Sequence, residues 1–471
     1  MKKTKMICTV GPASETEEII TQFIEAGMNA SRHNFSHGDH EEHRGRIELV
    51  RNTAKKLGKE IAIILDTKGP EIRTGKFEPN KVELQKGTDF TIYAGEEVVG
   101  DTTKCSVTYA GLANDVVPGN TILIDDGLVG LTVKSIDGNK ILCEVQNTGL
   151  VGTHKGVNVP GVSIKLPALT EKDKDDLKFG CEMGVTMIAA SFVRKAEDVL
   201  AIRQVLKENG GEHILVCPKI ENQEGVDNID SILEVSDMIM VARGDLGVEI
   251  PVENVPQVQK MIIKKCNEAG KPVVTATQML DSMIRNPRPT RAEVSDVANA
   301  IYDGTDVIML SGESANGSYP VNAVRTMAKI AEETEKNLDY HVAVSKAKKH
   351  IPANAGVISR ATCNAAAELQ ASAIISSTQS GATAQRLSQC RPECPIVAVT
   401  PCEKVAKKLV FSWGVYPIVA EKMESTDEMM EKAVSIAEKA GFVKKGDTVV
   451  MAAGVPVAKG ATNLMKVSVV E

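Results

Sequence analysis

Aromatic residues, an excess of positive charge and long hydrophobic segments are all scarce in this 471-residue sequence. Phe, Trp and Tyr make up 3% of the residues, which weakens any case for stacking on nucleobases. The formal net charge is −7, so neither a nucleic acid nor an anionic membrane is an expected partner. Apolar runs stay short of the ~18 residues that span a bilayer, and MKKTKMICTVGP lacks the apolar core of a signal peptide. We therefore expect no membrane span and no secretory signal.

The ten cysteines form no CxxC pair and no evenly spaced framework. Several of them, such as Cys8 and Cys217, fall inside predicted strands. This usage favours reduced thiols in a cytoplasmic protein over disulfides or a zinc site. The nucleotide-binding fingerprints GxxxxGK[ST] and GxGxxG are also missing, so a bound nucleotide would not be held by either of those loops.

Short apolar strands alternate with charged helical stretches through much of the chain, whose length predicts two to four domains. Eight such strands are predicted: Lys5–Val10, Met28–Phe35, Ile61–Thr67, Met187–Val193, Ile214–Ile220, Met238–Asp245, Pro272–Met279 and Asp306–Glu313. Eight strand–helix units over roughly 250 residues match a (β/α)8 barrel. A doubly wound parallel sheet is the structural alternative.

The alternation of apolar strands with charged helices changes in two segments of the chain. Residues 71–166 alternate in short strands with the hairpin turns Asp125–Gly127 and Asp137–Asn139, which predicts a small inserted all-β domain, a β-barrel, suited to act as a lid. Residues 339–471 predict an open α/β sheet. The barrel domain would therefore comprise residues 1–70 and 167–338, and the chain as a whole would be α/β.

The stretch ILVCPKIENQEGV (Ile214–Val226) is the centre of the predicted site. Lys219 and Glu221 lie on one face of the strand, just after its apolar part, which indicates a functional site. The alternative interpretation is a surface ion pair at a frayed strand end. The stretch IMVARGD repeats this pattern with Arg243 and Asp245. Two successive strands that end in acids predict a divalent metal site between Glu221 and Asp245.

Other predicted strand ends carry polar groups as well, and the carboxyl end of a barrel is where catalysis takes place. These groups are Arg32, Asn34, Ser36 and His37 after the second strand, Asp66, Thr67, Lys68 and Arg73 after the third, Thr277 after the seventh and Ser311 after the eighth. Phosphate binding would rest on Arg32, Lys68, Arg73, Lys219 and the metal. In the C-terminal unit, SSTQSGATAQ (Ser376–Gln385) opens a helix and predicts a second phosphate site, with a plain capping loop as the alternative.

Taken together, these motifs resemble the pyruvate kinase family over essentially the whole chain. ILVCPKIENQEGV resembles the family signature. RHNFSHG, DTKGPEIRTG, MVARGDLGVE, TATQMLDSM, RPTRAEVSDVANA and IMLSGESANGSYP resemble its other blocks in order. The resemblance implies transfer of the phosphoryl group of phosphoenolpyruvate to ADP, which gives ATP and pyruvate in the last step of glycolysis.

The resemblance also implies individual roles. Glu221 and Asp245 would bind Mg²⁺ or Mn²⁺, and Lys219 would stabilise the transferring phosphoryl group and the enolate. Potassium would be bound by Asn34, Ser36, Asp66 and Thr67. Phosphoenolpyruvate would be bound by Arg32, Gly244, Asp245 and Thr277, and the nucleotide by Arg32, His37, Arg73 and Lys155. Ser311 would belong to the water network that carries the proton. Glu71 matches members of the family that need potassium.

An allosteric site and a homotetramer are further family expectations. Thr378, Ser380, Gly381 and Thr383 would hold a phosphorylated effector. The loop Gly454–Asn463 lacks the arginine of fructose-bisphosphate-regulated members, which leaves ribose 5-phosphate with AMP or another sugar phosphate. His33 replaces an aliphatic family residue and should face away from Arg32. The alternatives are a non-catalytic sugar-phosphate sensor and another metal-dependent barrel acting on phosphoenolpyruvate or pyruvate, such as an acid aldolase.

Overall fold

The computed structural model describes residues 1–340, 353–423, 425–455 and 462–471. Strands are numbered β1 to β22 along these residues. Eight of them form the predicted barrel: β1 Lys5–Thr9, β2 Ala30–Asn34, β3 Ala62–Asp66, β13 Met187–Ala190, β14 Leu215–Ile220, β15 Ile239–Ala242, β16 Val273–Ala276 and β17 Val307–Leu310. All neighbours are parallel, and β1 pairs with both β2 and β17, so the sheet closes. Closure confirms the (β/α)8 barrel and excludes the doubly wound sheet.

Side chains alternate between the inside of the barrel and the surrounding helices, as the period of a strand requires. Ile7, Ala30, Ile64, Met240 and Val274 belong to the cluster inside the barrel. Their strand neighbours pack outward against helices Glu17–Glu25, His40–Lys56, Glu171–Glu182, Ala196–Glu208, Gln223–Asp227, Ile229–Val235, Arg243–Glu249, Val255–Ala269, Arg291–Asp303, Gly312–Ala315 and Pro320–Glu335. None of the helices in the described part of the chain is both long enough and apolar enough to cross a membrane.

His33 illustrates this alternation. It is fully buried on the outward face of β2, where its Nε2 lies 3.1 Å from Ser31 Oγ and its ring meets His43 edge to face. Burial lowers the pKa of His33 to about 3, with the neighbouring His43 adding to the shift. His33 is therefore a neutral packing residue that points away from the predicted site, as the sequence predicts.

The inserted segment between β3 and β13 forms two antiparallel-rich sheets and one short helix, Leu112–Asp115. Its strands are β4 Ile72–Arg73, β5 Lys81–Leu84, β6 Asp89–Ala94, β7 Lys104–Val107, β8 Thr121–Ile124, β9 Val129–Asp137, β10 Lys140–Val145, β11 Gly149–Gly152 and β12 Gly156–Asn158. The seven-stranded sheet has the order β4-β12-β8-β9-β10-β6-β7, and β5 pairs with β11. Its two edge strands meet where Thr74 bridges Val107, so the sheet curls almost into a barrel. Both predicted hairpin turns are present, at Asp125–Gly127 and around Gly138.

The C-terminal unit is the predicted open sheet, in the order β20-β19-β18-β21-β22, with only β22 antiparallel. The strands are β18 Ala373–Ser377, β19 Ile396–Thr400, β20 Val415–Val419, β21 Thr448–Ala453 and β22 Leu464–Val469, and the helices are Ala353–Glu368, Ala382–Gln389, Glu403–Leu409 and Thr426–Lys439. The exact domain boundaries given above remain predictions.

The C-terminal unit covers the amino end of the barrel. Val410 and Phe411 belong to the same buried cluster as the residues inside the barrel. Arg391 forms a 2.9 Å ion pair with Asp306 at the start of β17, and the buried Lys5 ammonium donates to the carbonyl of Val415. The opposite, carboxyl end is left free for the inserted unit and the predicted site.

Candidate active site

Lys219 lies near the carboxyl end of β14, inside the barrel mouth. Its Nζ donates to Ser191 Oγ at 2.9 Å and to Asp66 Oδ1 at 3.2 Å, and lies 2.9 Å from Glu221 Oε1. Burial by itself lowers the pKa of Lys219, but Asp66 and Glu221 outweigh burial and raise the pKa above the ordinary lysine value. The site therefore contains an ammonium whose charged form is favoured by its acidic neighbours and which is held by three oxygen atoms from three strand ends.

Asp66 connects this lysine to a second cation. Arg32 Nε lies 2.5 Å from Asp66 Oδ2, and Arg32 Nη1 donates to Thr9 Oγ1 at 3.1 Å. The two strands place them together because β2 pairs with β3 in register, with Asn34 opposite Asp66. Burial raises the pKa of Asp66, but Arg32 and Lys219 more than reverse this effect and hold it below its ordinary value. Two cations and one ionised carboxylate thus face the same mouth.

Glu221 is buried directly after β14. Its Oε2 accepts the Phe192 backbone N–H at 2.5 Å, whereas its buried Oε1 lies 2.9 Å from the Lys219 ammonium and accepts no hydrogen bond. Burial raises the pKa of Glu221 to about 8; Lys219 opposes this shift and Asp245 adds to it. The Lys219 ammonium balances the charge of this oxygen without a hydrogen bond, which leaves the oxygen with unused capacity to coordinate a metal ion.

The interpretation of Arg243 and Asp245 as two residues on one face of a strand is wrong. β15 ends at Ala242, and helix Arg243–Glu249 begins at the next residue. Arg243 turns away to pair with Asp296 at 2.7 Å and to donate to the Thr277 carbonyl at 2.8 Å. Asp245, in the first turn of the helix, lines the cavity beneath the inserted unit. The two acids therefore come from a strand end and a helix start, not from two adjacent strands.

These acids fit a magnesium ion. Magnesium uses one or two protein carboxylates and keeps water or phosphate in its other positions. Glu221 supplies an oxygen without a hydrogen bond at the end of β14, and Asp245 follows the adjacent strand β15 and lines the cavity next to the inserted unit. Within the described ranges, no group of three or more His, Cys, Asp or Glu side chains is arranged to enclose a metal.

The residues predicted for potassium lie together at the ends of β2 and β3. Asn34 Oδ1 accepts the Ser36 N–H at 3.2 Å, and the Phe35 N–H donates to the Asp66 carbonyl at 2.9 Å. Thr67 Oγ1 accepts the Ser191 N–H at 3.1 Å. Asn34, Ser36, Asp66 and Thr67 thus offer side-chain oxygen atoms at the ends of these two strands, which is the ligand chemistry of a hard monovalent or divalent cation. Both carboxylate oxygens of Asp66 also pair with Arg32 and Lys219.

Thr277 and Gly244 contact each other. The Gly244 N–H donates to Thr277 Oγ1 at 2.7 Å, and that hydroxyl donates to the Ala276 carbonyl at 2.6 Å. Thr277 and Gln278 both have positive φ angles, of 66° and 53°, a costly conformation that tends to occur at functional sites. Ser311, after the neighbouring strand β17, has a buried hydroxyl without a partner. A row of hydroxyl and amide groups therefore follows β15, β16 and β17.

A cavity of about 660 Å³ separates the inserted unit from the barrel mouth. Arg73, Lys155 and Asp245 line it, whereas His37 lies exposed in the loop after β2 and is not part of its lining. Both cations already have partners: Arg73 makes two hydrogen bonds to Glu71, at 2.7 and 2.9 Å, and Lys155 lies 3.0 Å from Asp125. Lys68 also pairs with Glu71, at 3.1 Å. Sequence reasoning identified these basic residues but not the acids that neutralise them.

The predicted effector loop lies between β18 and helix Ala382–Gln389, far along the chain from these residues. Gly381 has a φ angle of 85°, and its N–H donates to Thr378 Oγ1 at 3.0 Å. Thr383 Oγ1 lies 2.9 Å from Thr462 Oγ1. Ser380 is exposed in the same loop. Of the loop Gly454–Asn463, residues 456–461 lie outside the described residues, and so does most of the link that precedes helix Ala353–Glu368.

Two residues of the site are missing from the sequence predictions: Ser191, which contacts Lys219, and Phe192, which contacts Glu221. Of the eight predicted barrel strands, only the first and the fourth, Met187–Val193, have no polar residue assigned to the site. The available signal was Ser191 itself, a hydroxyl two residues beyond Ala189 on the inward face. A serine is also common at strand ends without a functional role, so this signal alone is not specific.

Known proteins are similar to this chain over its whole length. The model of the pyruvate kinase barrel domain matches residues 1–324, and the model of the pyruvate kinase alpha/beta domain matches residues 356–468. Pyruvate kinase of Clostridium acetobutylicum is 67% identical over the full length of both chains. Pyruvate kinase of Clostridium perfringens is 53% identical over 99% of each chain, and that of Bacillus licheniformis is 56% identical over 100% of this chain and 81% of its own.

The fold and these relatives define a phosphotransferase built on a (β/α)8 barrel. The chain belongs to the pyruvate kinase family.

Proposed function

We propose that this enzyme transfers the phosphoryl group of phosphoenolpyruvate to ADP, giving ATP and pyruvate. The observation that carries the proposal is the group of Arg32, Asp66 and Lys219 in the barrel mouth, next to a buried carboxylate oxygen without a hydrogen bond. Phosphoryl transfer needs positioning and neutralisation of negative charge rather than a covalent nucleophile. Clustered cations beside a metal-binding carboxylate meet that need.

The reaction breaks the P–O bond to the enol oxygen and forms a P–O bond to a terminal oxygen of ADP. The enolate that is left then takes up a proton at carbon and becomes pyruvate. Arg32 and Lys219 would neutralise the phosphoryl oxygens, and Lys219 would also stabilise the enolate oxygen. The amides of Gly244 and Asp245 and the hydroxyl of Thr277 would bind the carboxylate, and Ser311 would help to hold the water that delivers the proton.

Arg73 and Lys155 would bind the phosphates of ADP from the cavity side, Arg32 would contact them from the barrel mouth, and His37 would approach only from the loop after β2. Glu221 and Asp245 would hold Mg²⁺ or Mn²⁺, and Asn34, Ser36, Asp66 and Thr67 would hold K⁺. When bound, these ions would neutralise charge on the phosphates during transfer. The inserted unit would exclude water from the cavity and so protect the phosphoryl group from hydrolysis.

Regulation and assembly are part of the same proposal. A phosphorylated metabolite would bind at Thr378, Ser380, Gly381 and Thr383, where a β-strand leads into a helix amino terminus. A cytoplasmic homotetramer is the form expected from the family.

The decisive experiment measures ADP-dependent formation of pyruvate from phosphoenolpyruvate with Mg²⁺, in the presence of K⁺ or of a bulky organic cation instead. Turnover that requires both ions is the expected result and supports both the Glu221/Asp245 site and the potassium site around Asp66. Turnover without K⁺ would retain the reaction but refute the potassium assignment. No turnover under any ion or sugar-phosphate condition would favour the non-catalytic sensor.

A further inference from the structure

Ser191 lies at the centre of the hydrogen bonds that hold Lys219. It is buried one residue beyond the end of β13, and its hydroxyl contacts three groups. The Lys219 ammonium donates to Ser191 Oγ at 2.9 Å, and Ser191 Oγ lies 2.5 Å from the Thr67 carbonyl and 3.3 Å from Asp66 Oδ1. Its own N–H donates to Thr67 Oγ1 at 3.1 Å. Ser191 therefore connects the ends of β3, β13 and β14.

The hydrogen-bonding capacity of a hydroxyl fixes the roles in this contact. Serine has one O–H donor and two lone pairs, and a lysine ammonium can only donate. The single proton of Ser191 is directed to the acceptors Thr67 O and Asp66 Oδ1, so a lone pair must face Lys219. The orientation of the hydroxyl, and with it the position of the ammonium, is set by the backbone of β3.

The next residue performs the matching task for Glu221. The Phe192 N–H donates to Glu221 Oε2, and Phe192 has a φ angle of 55°. Left-handed backbone is costly for a bulky residue and persists only where the surrounding structure imposes it. The loop after β3 packs closely here, because a Cβ added to Gly69 would lie 2.8 Å from Ser191 Cβ and 3.0 Å from the Phe192 ring. Gly69 thus allows the two loops to meet.

We propose that Ser191 is a positioning residue for phosphoryl transfer: its hydroxyl fixes the Lys219 ammonium in the barrel mouth, while the adjacent Phe192 amide fixes the Glu221 carboxylate. This inference rests on the function proposed above. Without the hydroxyl, Lys219 would retain only its two carboxylate partners, Asp66 and Glu221, and its ammonium would no longer be fixed at one position between them. It would then approach the phosphoryl group less closely in the transition state.

The test compares the full-length wild-type enzyme with Ser191→Ala and Ser191→Cys. A displacement of about 1 Å can cost on the order of 100-fold in rate, so we expect kcat of Ser191→Ala to fall by about that factor. KM for phosphoenolpyruvate should change little, because the loss arises in the transition state. Ser191→Cys keeps the shape of the side chain but replaces the oxygen by a larger and weaker acceptor, so its kcat should lie between the other two.

Two further measurements separate positioning from a general structural effect. The affinity for Mn²⁺, followed by electron paramagnetic resonance without substrate, should be unchanged in Ser191→Ala, since Phe192 holds Glu221 independently. The control Ser236→Ala removes another buried hydroxyl, which donates to the Ile232 carbonyl at 2.6 Å near the amino end of the barrel, and should leave kcat unaltered.

If the wild-type enzyme is active and Ser191→Ala has the same kcat, the positioning role is refuted and the proposed function is retained. An equal loss of Mn²⁺ affinity and of kcat would also overturn it, in favour of a structural role. If Ser191→Ala does not fold, Ser191→Cys decides alone, and a wild-type kcat in that variant refutes the role. A wild-type enzyme without turnover refutes the proposed function itself.

Discussion

The Lys219 ammonium and the Glu221 carboxylate lie 2.9 Å apart, yet Glu221 Oε1 receives no hydrogen bond. The two side chains occupy alternate positions at the end of one strand, so neither can move away without a change in the backbone. Asp66, on the other side of Lys219, accepts a hydrogen bond from the ammonium. The Lys219 ammonium thus donates hydrogen bonds to Asp66 and Ser191 and forms an ion pair with Glu221 Oε1.

Replacement of Lys219 by methionine should abolish turnover and leave phosphoenolpyruvate bound. The change removes the cation that faces the transferring phosphoryl group, and loss of such a group costs on the order of 10²–10³ in rate. Removal of one partner from a buried ion pair also destabilises a fold by about 3–5 kcal/mol. Steady-state kinetics, equilibrium dialysis of phosphoenolpyruvate and a thermal melt measure the three effects. Normal turnover in Lys219→Met would show that the assigned role is wrong.

Glu221→Gln and Asp245→Asn should each weaken Mn²⁺ binding, by at least about tenfold, because each change removes one anionic ligand of a site that offers only two. Titration of Mn²⁺ into the enzyme without substrate gives the affinity directly. The exposed Glu253, which follows the same helix, provides a matched control as Glu253→Gln. Equal affinities in all four proteins would place the metal elsewhere.

Lys155 and Asp125 should have opposite effects on nucleotide binding. Lys155→Ala should raise KM for ADP about tenfold, the loss expected for one hydrogen bond to a charged group. Asp125→Asn should lower it, because Asp125 competes with the phosphates for Lys155 at 3.0 Å. Lys134→Ala removes another cation of the inserted unit, paired with Asp89, and serves as the control. A rise in KM on Asp125→Asn would show that the acid orients Lys155 rather than competing for it.

Lys5 should make the stability of the fold depend on pH. Burial lowers the pKa of Lys5 from 10.5 to about 7, so between these values the unfolded chain binds the proton and the folded chain does not. The free energy of unfolding therefore rises with pH across this interval. We expect the melting temperature of the wild type, relative to Lys5→Met, to increase from about pH 7 to about pH 9. The exposed Lys178, replaced by methionine, gives the reference. A constant difference between wild type and Lys5→Met would contradict the shift.

Strand periodicity predicted the barrel well, because all eight strands are short apolar runs and their ends coincide with polar residues. It failed after β15, where the strand passes directly into a helix. Ala242, the residue before that helix, makes no side-chain capping bond, so the sequence carries no cap that marks the change. Arg243 and Asp245 were therefore assigned to one strand face.

Contacts between distant parts of the chain were beyond sequence reasoning for a different reason. The bridge between Thr74 and Val107 curls the inserted sheet, and neither residue belongs to a recognisable turn. Asp125 neutralises Lys155 from 30 positions away in the chain, and Ser191 reaches Lys219 from 28 positions away. Such pairings depend on the register of whole sheets, whereas a local pattern reports only propensity and burial.

The position of Phe411 inside the barrel cluster has a consequence for synthesis. The last barrel strand ends at Leu310, so roughly a hundred further residues must be made before Phe411 emerges, which takes about 5–20 s at ribosomal rates of about 5–20 residues per second. During that time the amino end of the nascent barrel lacks its cover. Ile7, Met240 and their neighbours would be exposed to chaperones and to other chains. The interval between synthesis of the last barrel strand and synthesis of Phe411 is thus the period in which aggregation of this protein is favoured most.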